Sequence, residues 1–68
     1  MNEDTLNMEV RTFLKKVGVT SQREIEHAIL KAVEEGRLQG TEKINVKMTL
    51  EIPEVELNKT INGVIALE

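Results

Sequence analysis

The spacing of apolar residues changes once along this chain, near Gly40, and this change restricts the fold more than any other feature. Before Gly40, apolar side chains recur every three or four residues, as they do on one face of an α-helix. After Gly40 they alternate with polar residues, at Ile44, Val46, Met48, Leu50 and Ile52. Such alternation is typical of a strand with one buried face. The sequence therefore predicts an α+β fold, with helices first and antiparallel strands second.

Two helices are predicted before Gly40. The first covers about residues 4–17, and its apolar stripe consists of Leu6, Val10, Phe13, Leu14 and Val17. The second covers about residues 21–35, and its stripe consists of Ile25, Ala28, Ile29, Ala32 and Val33. We expect no internal repeat, and we expect both helices to pack on one face of the sheet.

Glycine and serine residues mark the predicted helix ends. Gly18 stands where the first helix should stop, because glycine adopts the left-handed conformation of a C-terminal cap without strain. Ser21 and Glu24 have the spacing of a capping box, in which each side chain binds a free backbone N–H at the start of a helix. Gly36 is the expected end of the second helix.

The antiparallel strands are predicted at about 42–52 and 55–67, with a reversal at Pro53 and Glu54. Asn62-Gly63 leaves two arrangements open, because this pair occurs both in hairpin turns and in bulges. A turn would produce a short three-stranded meander. A bulge would leave a β-hairpin of two long strands with Gly63 opposite Ile44, and we favour this second arrangement.

The length of 68 residues predicts a single small α+β domain, residues 1–68. A chain of this size buries only about 60% of the surface that its unfolded form exposes. It has no cysteine for disulfides or thiolate metal sites, and Phe13 is its one aromatic residue. Self-association is therefore the remaining way in which this small chain could gain stability.

Two helices joined by Gly18-Val19-Thr20 and followed by strands have the order of a helix-turn-helix or winged-helix protein. Binding to nucleic acid depends mainly on basic residues that contact phosphates. The second predicted helix has more acidic than basic residues, the formal charge of the chain is −3, and no segment is basic. A transcription-associated or nucleic-acid-binding protein is therefore the alternative function, and we expect no nucleic-acid partner.

Residues that could support catalysis are isolated in the sequence. His27 is the only histidine, on the border of the second stripe, where a packing role is expected. Ser21 has no neighbouring base, the glycines form no phosphate-binding loop, and no acidic segment has calcium-site spacing. We predict that the chain is not an enzyme and has no catalytic residue, metal, cofactor or small-molecule substrate.

The predicted function is that of a non-catalytic interaction module that binds a second copy of itself or another protein. The edges of a two-stranded sheet favour pairing with another strand. The expected interaction surface contains Lys43 and Lys47 on the polar strand face, joined by Lys59, together with Met48 and Met8. An acidic N-terminus without a signal peptide, and the lack of a long apolar run, predict a cytoplasmic protein with no membrane segment.

The whole chain resembles a family of small bacterial proteins of unknown function. The stretches that support this resemblance are MNED at the start, FLKKVGVTSQREIE, EEGRLQG leading into VKMTLEIP, and IALE at the end. The resemblance implies no activity, cofactor or catalytic residue. It suggests that residues 65–68 are native, although Leu67-Glu68 also matches a dipeptide that often precedes an affinity tag.

Overall fold

The computed structural model describes all 68 residues, which form one helix and one β-hairpin. Helix α1 covers Glu3–Glu34, strand β1 covers Lys43–Ile52 and strand β2 covers Leu57–Ala66. A short 3-10 turn, Pro53–Val55, joins the strands. The chain divides into two compact units, Met1–Arg37 and Leu38–Glu68, so α1 belongs to the first and the hairpin to the second.

Helix α1 is continuous through the predicted turn. Its 32 residues include Gly18, Ser21 and Glu24, so the predicted helices at 4–17 and 21–35 are one helix. The prediction of two helices was therefore wrong, and so were the capping roles of these three residues. The overall order of helix and antiparallel strands is α+β, as the change of apolar spacing indicated.

The small free-energy effects of an interior glycine and of a capping residue explain why the helix does not stop at Gly18. An interior glycine costs a helix only about 1 kcal/mol relative to alanine, and an N-terminal cap contributes about the same amount. A break at this point would give up several backbone hydrogen bonds and require a second helix to be nucleated. Gly18 has ordinary helical backbone geometry, since only Gly36 and Gly40 among the glycines have positive φ.

Both ends of α1 are capped by groups close in sequence. At the start, the side chain of Asn2 accepts a hydrogen bond from the backbone N–H of Thr5 at 3.1 Å. At the end, Gly36 adopts a φ of 80°, and its N–H donates to the carbonyl of Val33 at 3.1 Å. The N–H of Arg37 donates to the carbonyl of Ala32 at 2.8 Å, which completes a Schellman motif.

The β-hairpin pairs without interruption from Lys43 opposite Ala66 to Ile52 opposite Leu57. Gly63 lies opposite Val46 within this regular ladder, so Asn62-Gly63 forms neither a turn nor a bulge. The favoured two-stranded arrangement is the one observed, but its expected register, with Gly63 opposite Ile44, was wrong by two residues.

The reversal between the strands depends on Pro53 and Glu56. Pro53 begins the 3-10 turn, and Glu56 follows it in the left-handed region at a φ of 54°. The N–H of Glu56 donates to the carbonyl of Pro53 at 3.1 Å and closes the turn. Few residues other than glycine, asparagine and aspartate adopt this conformation readily, so Glu56 is a point of local backbone strain.

Burial within the structure is low. Ala32 is the only buried residue, and no large side chain is fully buried. No helix in the structure has both the length and the apolar composition that a membrane crossing requires.

Candidate interaction surfaces

The most extensive apolar feature of the first unit is a row along α1, which we call the helix stripe. Its members are Leu6, Val10, Phe13, Leu14, Val17, Ser21, Ile25, Ala28, Ile29 and Ala32. Several members recur at intervals of eleven residues, as Leu6, Val17 and Ala28 do. Eleven residues make three helical turns of 3.67 residues, so residues at this interval remain on one face. The stripe therefore runs along the entire helix, through the point where a break was predicted.

The N-terminal half of the helix stripe is open to solvent. Its large side chains have exposed fractions of 49% for Leu6, 46% for Val10, 54% for Phe13 and 53% for Leu14. Towards the C-terminus, Val17, Ser21, Ile25 and Ile29 are half-buried and Ala32 is buried. The stripe thus places its bulkiest exposed groups in the first half of α1.

Side-chain size also differs between the two halves of the helix stripe. Leucine, valine and phenylalanine make up the first half, whereas Ser21, Ala28 and Ala32 are distributed through the second. Small residues let a second helix approach closely, and large residues need a recess to enter. The second half also contains Ile25 and Ile29, so it offers room for large side chains of a partner at Ser21, Ala28 and Ala32.

A second row of apolar residues follows α1 on another side. Met8, Val19 and Leu30 are also eleven residues apart, with exposed fractions of 67%, 51% and 69%. Charged and polar residues surround them, and a shallow groove between Val19 and Leu30 is lined by Glu26 and His27. Unlike the helix stripe, this row consists of single side chains separated by three turns.

The charged residues of α1 are not paired with one another. Arg37 and Glu35, beyond the last helical residue, form the one ion pair in the structure, at 2.6 Å. The side chains of Glu9, Lys16, Glu24 and Lys31 are all exposed. These four lie beside the helix stripe, on the side of Phe13, and alternate in charge.

The two faces of the hairpin differ sharply in polarity. Directly opposite residues share a face in an antiparallel pair. One face therefore contains Ile44, Val46, Met48, Leu50, Ile52, Leu57, Lys59, Ile61, Gly63 and Ile65. The other contains Lys43, Asn45, Lys47, Thr49, Glu51, Asn58, Thr60, Asn62, Val64 and Ala66. Lys59, opposite Leu50, is the one charged residue on the apolar face.

This register separates the residues that were predicted to form one interaction surface. Lys43 and Lys47 lie on the polar face of the hairpin, whereas Lys59 and Met48 lie on the apolar face. Met8 belongs to the helix and to the other unit. The expected patch of three lysines is therefore not formed, and none of the three makes an ion pair.

A carboxylate organises the segment before β1. The N–H of Gln39 donates to Oε2 of Glu42 at 2.8 Å, and those of Gly40 and Thr41 donate to Oε1 at 2.9 and 3.2 Å. These backbone hydrogen bonds, chiefly that from Gln39, lower the pKa of the Glu42 carboxyl below its ordinary value of 4.5. Gly40 has a φ of 94°, which suits glycine, so this segment is locally well defined.

Residues of the types that take part in catalysis or metal binding are not clustered in the structure. His27 lies on the surface of α1 beside the groove described above. The structure has no group of three or more histidine, cysteine, aspartate and glutamate side chains that could hold a metal ion. A helix-turn-helix also requires a turn at Gly18-Val19-Thr20, and these residues are helical.

A family model matches the full length of the chain. The model of a family of unknown function, DUF6494, matches residues 1–68. The chain belongs to this family. The match covers the whole chain, so the full-length resemblance to a family of unknown function is confirmed, and the function of this DUF6494 member is unknown. No curated protein and no solved structure matches it.

Sequence reasoning missed the extent of the helix stripe. It placed the apolar residues on two helices and proposed the strand lysines as the surface. The overlooked signal was the eleven-residue interval, since Val10, Ser21 and Ala32 are related by it across the supposed break.

Proposed function

We propose that this chain is a non-catalytic self-association module, in which the helix stripe of one copy binds the helix stripe of a second. The observation that carries the proposal is the exposure of Leu6, Phe13 and Leu14 on one continuous helix face in a chain that buries only Ala32. Burial of apolar surface is the main favourable term in protein association. A second copy of the chain would bury this apolar surface without any other binding partner.

The length of α1 supports this proposal. Helical stability in proteins comes mostly from packing of an apolar face, rather than from the intrinsic preferences of the residues. Helix α1 contains 32 residues, or about 48 Å at 1.5 Å per residue, with a glycine near its centre. Association along the stripe would stabilise the helix along its length, including at Gly18.

We propose that this association takes place in the cytoplasm. A chain without cysteine has no disulfide to form in an oxidising compartment, and the reinforcement that small secreted domains take from disulfides would come here from a second copy.

Two leucines on different sides of α1 provide a matched test. Leu14 belongs to the helix stripe and Leu30 to the separate row, and both are exposed. Leu14→Glu and Leu30→Glu therefore introduce the same side chain into the same helix on different faces. Sedimentation velocity between about 1 and 100 μM would measure association, a range that brackets micromolar dissociation constants.

We expect the wild-type chain and Leu30→Glu to form a dimer over this range. Leu14→Glu should be monomeric, because a carboxylate cannot be buried in an apolar interface without a partner. A wild-type chain that stays monomeric and folded at the highest concentration would refute the proposal. Equal weakening by both substitutions would show that the helix stripe is not the interface.

A further inference from the structure

We propose that the two helices pair antiparallel, about a twofold axis near Thr20. This inference rests on the proposed self-association and adds its geometry: the N-terminal half of each helix stripe packs on the C-terminal half of the other. Side-chain size and the order of charges along α1 lead independently to this arrangement.

Side-chain size along the helix stripe favours the antiparallel pair. In an antiparallel pair centred near residue 20, residues at the same level have numbers that add to about 40. Leu6 then lies near the level of Ala32 in the second copy, and Phe13 near the level of Ala28. Val10 and Leu14 lie near the levels of Ile29 and Ile25, so contacts between large and small side chains alternate with contacts between two large ones along the interface. This alternation keeps the distance between the helix axes similar at both ends, within the usual 8–10 Å.

A parallel pair would distribute size unevenly. Leu6 and Phe13 would meet their own counterparts at one end, whereas Ala28 and Ala32 would meet theirs at the other. The helices would be held apart where the large residues meet, and cavities would remain beside the alanines. Cavities in an apolar interface lower stability in proportion to their volume.

The alternation of charge beside the stripe also favours the antiparallel pair. Glu9, Lys16, Glu24 and Lys31 follow one flank in the order acid, base, acid, base. Antiparallel pairing brings equivalent flanks together, so Glu9 faces Lys31 of the second copy and Lys16 faces Glu24. Both pairs of residue numbers add to 40, which places the twofold axis at Thr20.

Parallel pairing would not bring these four charges opposite their counterparts, because each flank then faces the opposite flank of its partner. None of the four charges has an ion-pair partner within the chain. Complementary charges chiefly set orientation and partner choice, and add modestly to affinity. The row is therefore suited to selecting the antiparallel orientation.

Spin-label distances separate the orientations directly. The chain has no cysteine, so Asn7→Cys and Thr20→Cys each provide one labelling site on an exposed residue of α1. In the antiparallel dimer, labels at residue 20 should be within about 20 Å of each other. Labels at residue 7 should be about 39 Å apart, because each is thirteen residues from the axis at 1.5 Å per residue.

Each outcome of double electron-electron resonance has a distinct meaning. A short distance for Thr20→Cys with a long one for Asn7→Cys supports the inference. Short distances at both sites would overturn the antiparallel orientation while leaving self-association intact. No intermolecular distance at either site, with a monomer in sedimentation, would overturn self-association and the orientation together.

A charge exchange gives a second test that needs no label. Glu9→Lys should raise the dissociation constant roughly tenfold at low salt, because it places like charges together twice in each dimer. Glu9→Lys combined with Lys31→Glu should return it to within about threefold of wild type. Glu34→Lys makes the same change of charge on an exposed residue opposite the stripe, and should alter the dissociation constant less than about twofold. Failure of the double variant to recover affinity would overturn the proposed pairing.

Discussion

The helix and the hairpin differ in where their apolar side chains find neighbours. On the hairpin, β1 and β2 supply one another: Ile44 lies opposite Ile65 and Met48 opposite Ile61. On α1 the helix stripe lies along one element, and the large side chains of its first half, such as Leu6 and Phe13, are about half exposed. The hairpin therefore has apolar contacts built into its own pairing, whereas the first half of the helix stripe gains burial only from another surface.

The largest expected difference between the regions concerns association. Phe13 and Ile61 have nearly equal exposed fractions, 54% and 56%, so they make a matched pair. Phe13→Ala should weaken dimerisation by about 3 kcal/mol, because it removes a large group from the proposed interface. Ile61→Ala removes a cross-strand contact worth roughly 0.2–1 kcal/mol and should leave the dissociation constant nearly unchanged.

Sedimentation equilibrium would measure both dissociation constants, and urea unfolding would measure stability at two concentrations. The opposite ranking, with Ile61→Ala as the stronger disruption of the dimer, would place the interface on the hairpin instead.

Gly18 and Gly36 were both expected to end a helix, and alanine substitutions should distinguish them. Gly18→Ala should raise the free energy of unfolding by about 1 kcal/mol, because Gly18 is inside α1 and an added Cβ meets no atom within 4 Å. Gly36→Ala should lower it by about 1 kcal/mol, because Gly36 has a φ of 80°. Urea unfolding would measure both, and a loss of stability in both variants would mean that the helix breaks at Gly18.

Substitution of Glu56 in the hairpin turn should change stability by a smaller amount. Glu56→Asn should raise the stability of the hairpin by up to about 1 kcal/mol, since asparagine tolerates the left-handed conformation better than glutamate does. Glu54→Asn, two residues earlier in the same turn, controls for the loss of a carboxylate. Amide exchange in β1 and β2 would detect the change, and equal effects of the two substitutions would argue against strain at Glu56.

The smallest effect should come from Glu42 and should depend on pH. Hydrogen bonds from the backbone lower the pKa of its carboxyl in the folded state, so folding favours the ionised form. The stabilisation is therefore fully present above the ordinary pKa of 4.5 and is lost as the pH falls through the lowered value. Melting temperatures of wild type and Glu42→Gln should differ at pH 6 and converge towards pH 3, and a constant difference would exclude this role.

The reversals predicted at Pro53 and at Gly18, of which only the first is present, show how far the sequence could predict the fold. Proline removes a backbone donor and fixes φ, so a long strand cannot easily continue through Pro53, and the hairpin was predictable. Glycine only makes a break less unfavourable, so the signal at Gly18 depended on whether the apolar stripe continued beyond it. That continuation is visible only when Leu14 is compared with Ile25, three turns later.

The candidate surface was less predictable than the fold. The lysines at 43 and 47 were correctly placed on the polar strand face. Lys59 was grouped with them although it occupies the same alternating positions as Leu57 and Ile61, and the pairing puts it on the apolar face. The helix stripe was concealed by the division into two helices. Its charged flank has an order that becomes evident only when residues 9–31 are read as one helix.

Continuity of α1 through residues 17–22 is the claim on which the stripe and its pairing depend, and backbone nuclear magnetic resonance tests it most directly. A continuous helix should give helical Cα shifts and unbroken sequential amide contacts from Val17 to Gln22, with a negative φ at Gly18. A positive φ at Gly18 together with an extended Thr20 or Ser21 would contradict it, because the two halves of the stripe would then belong to separate helices.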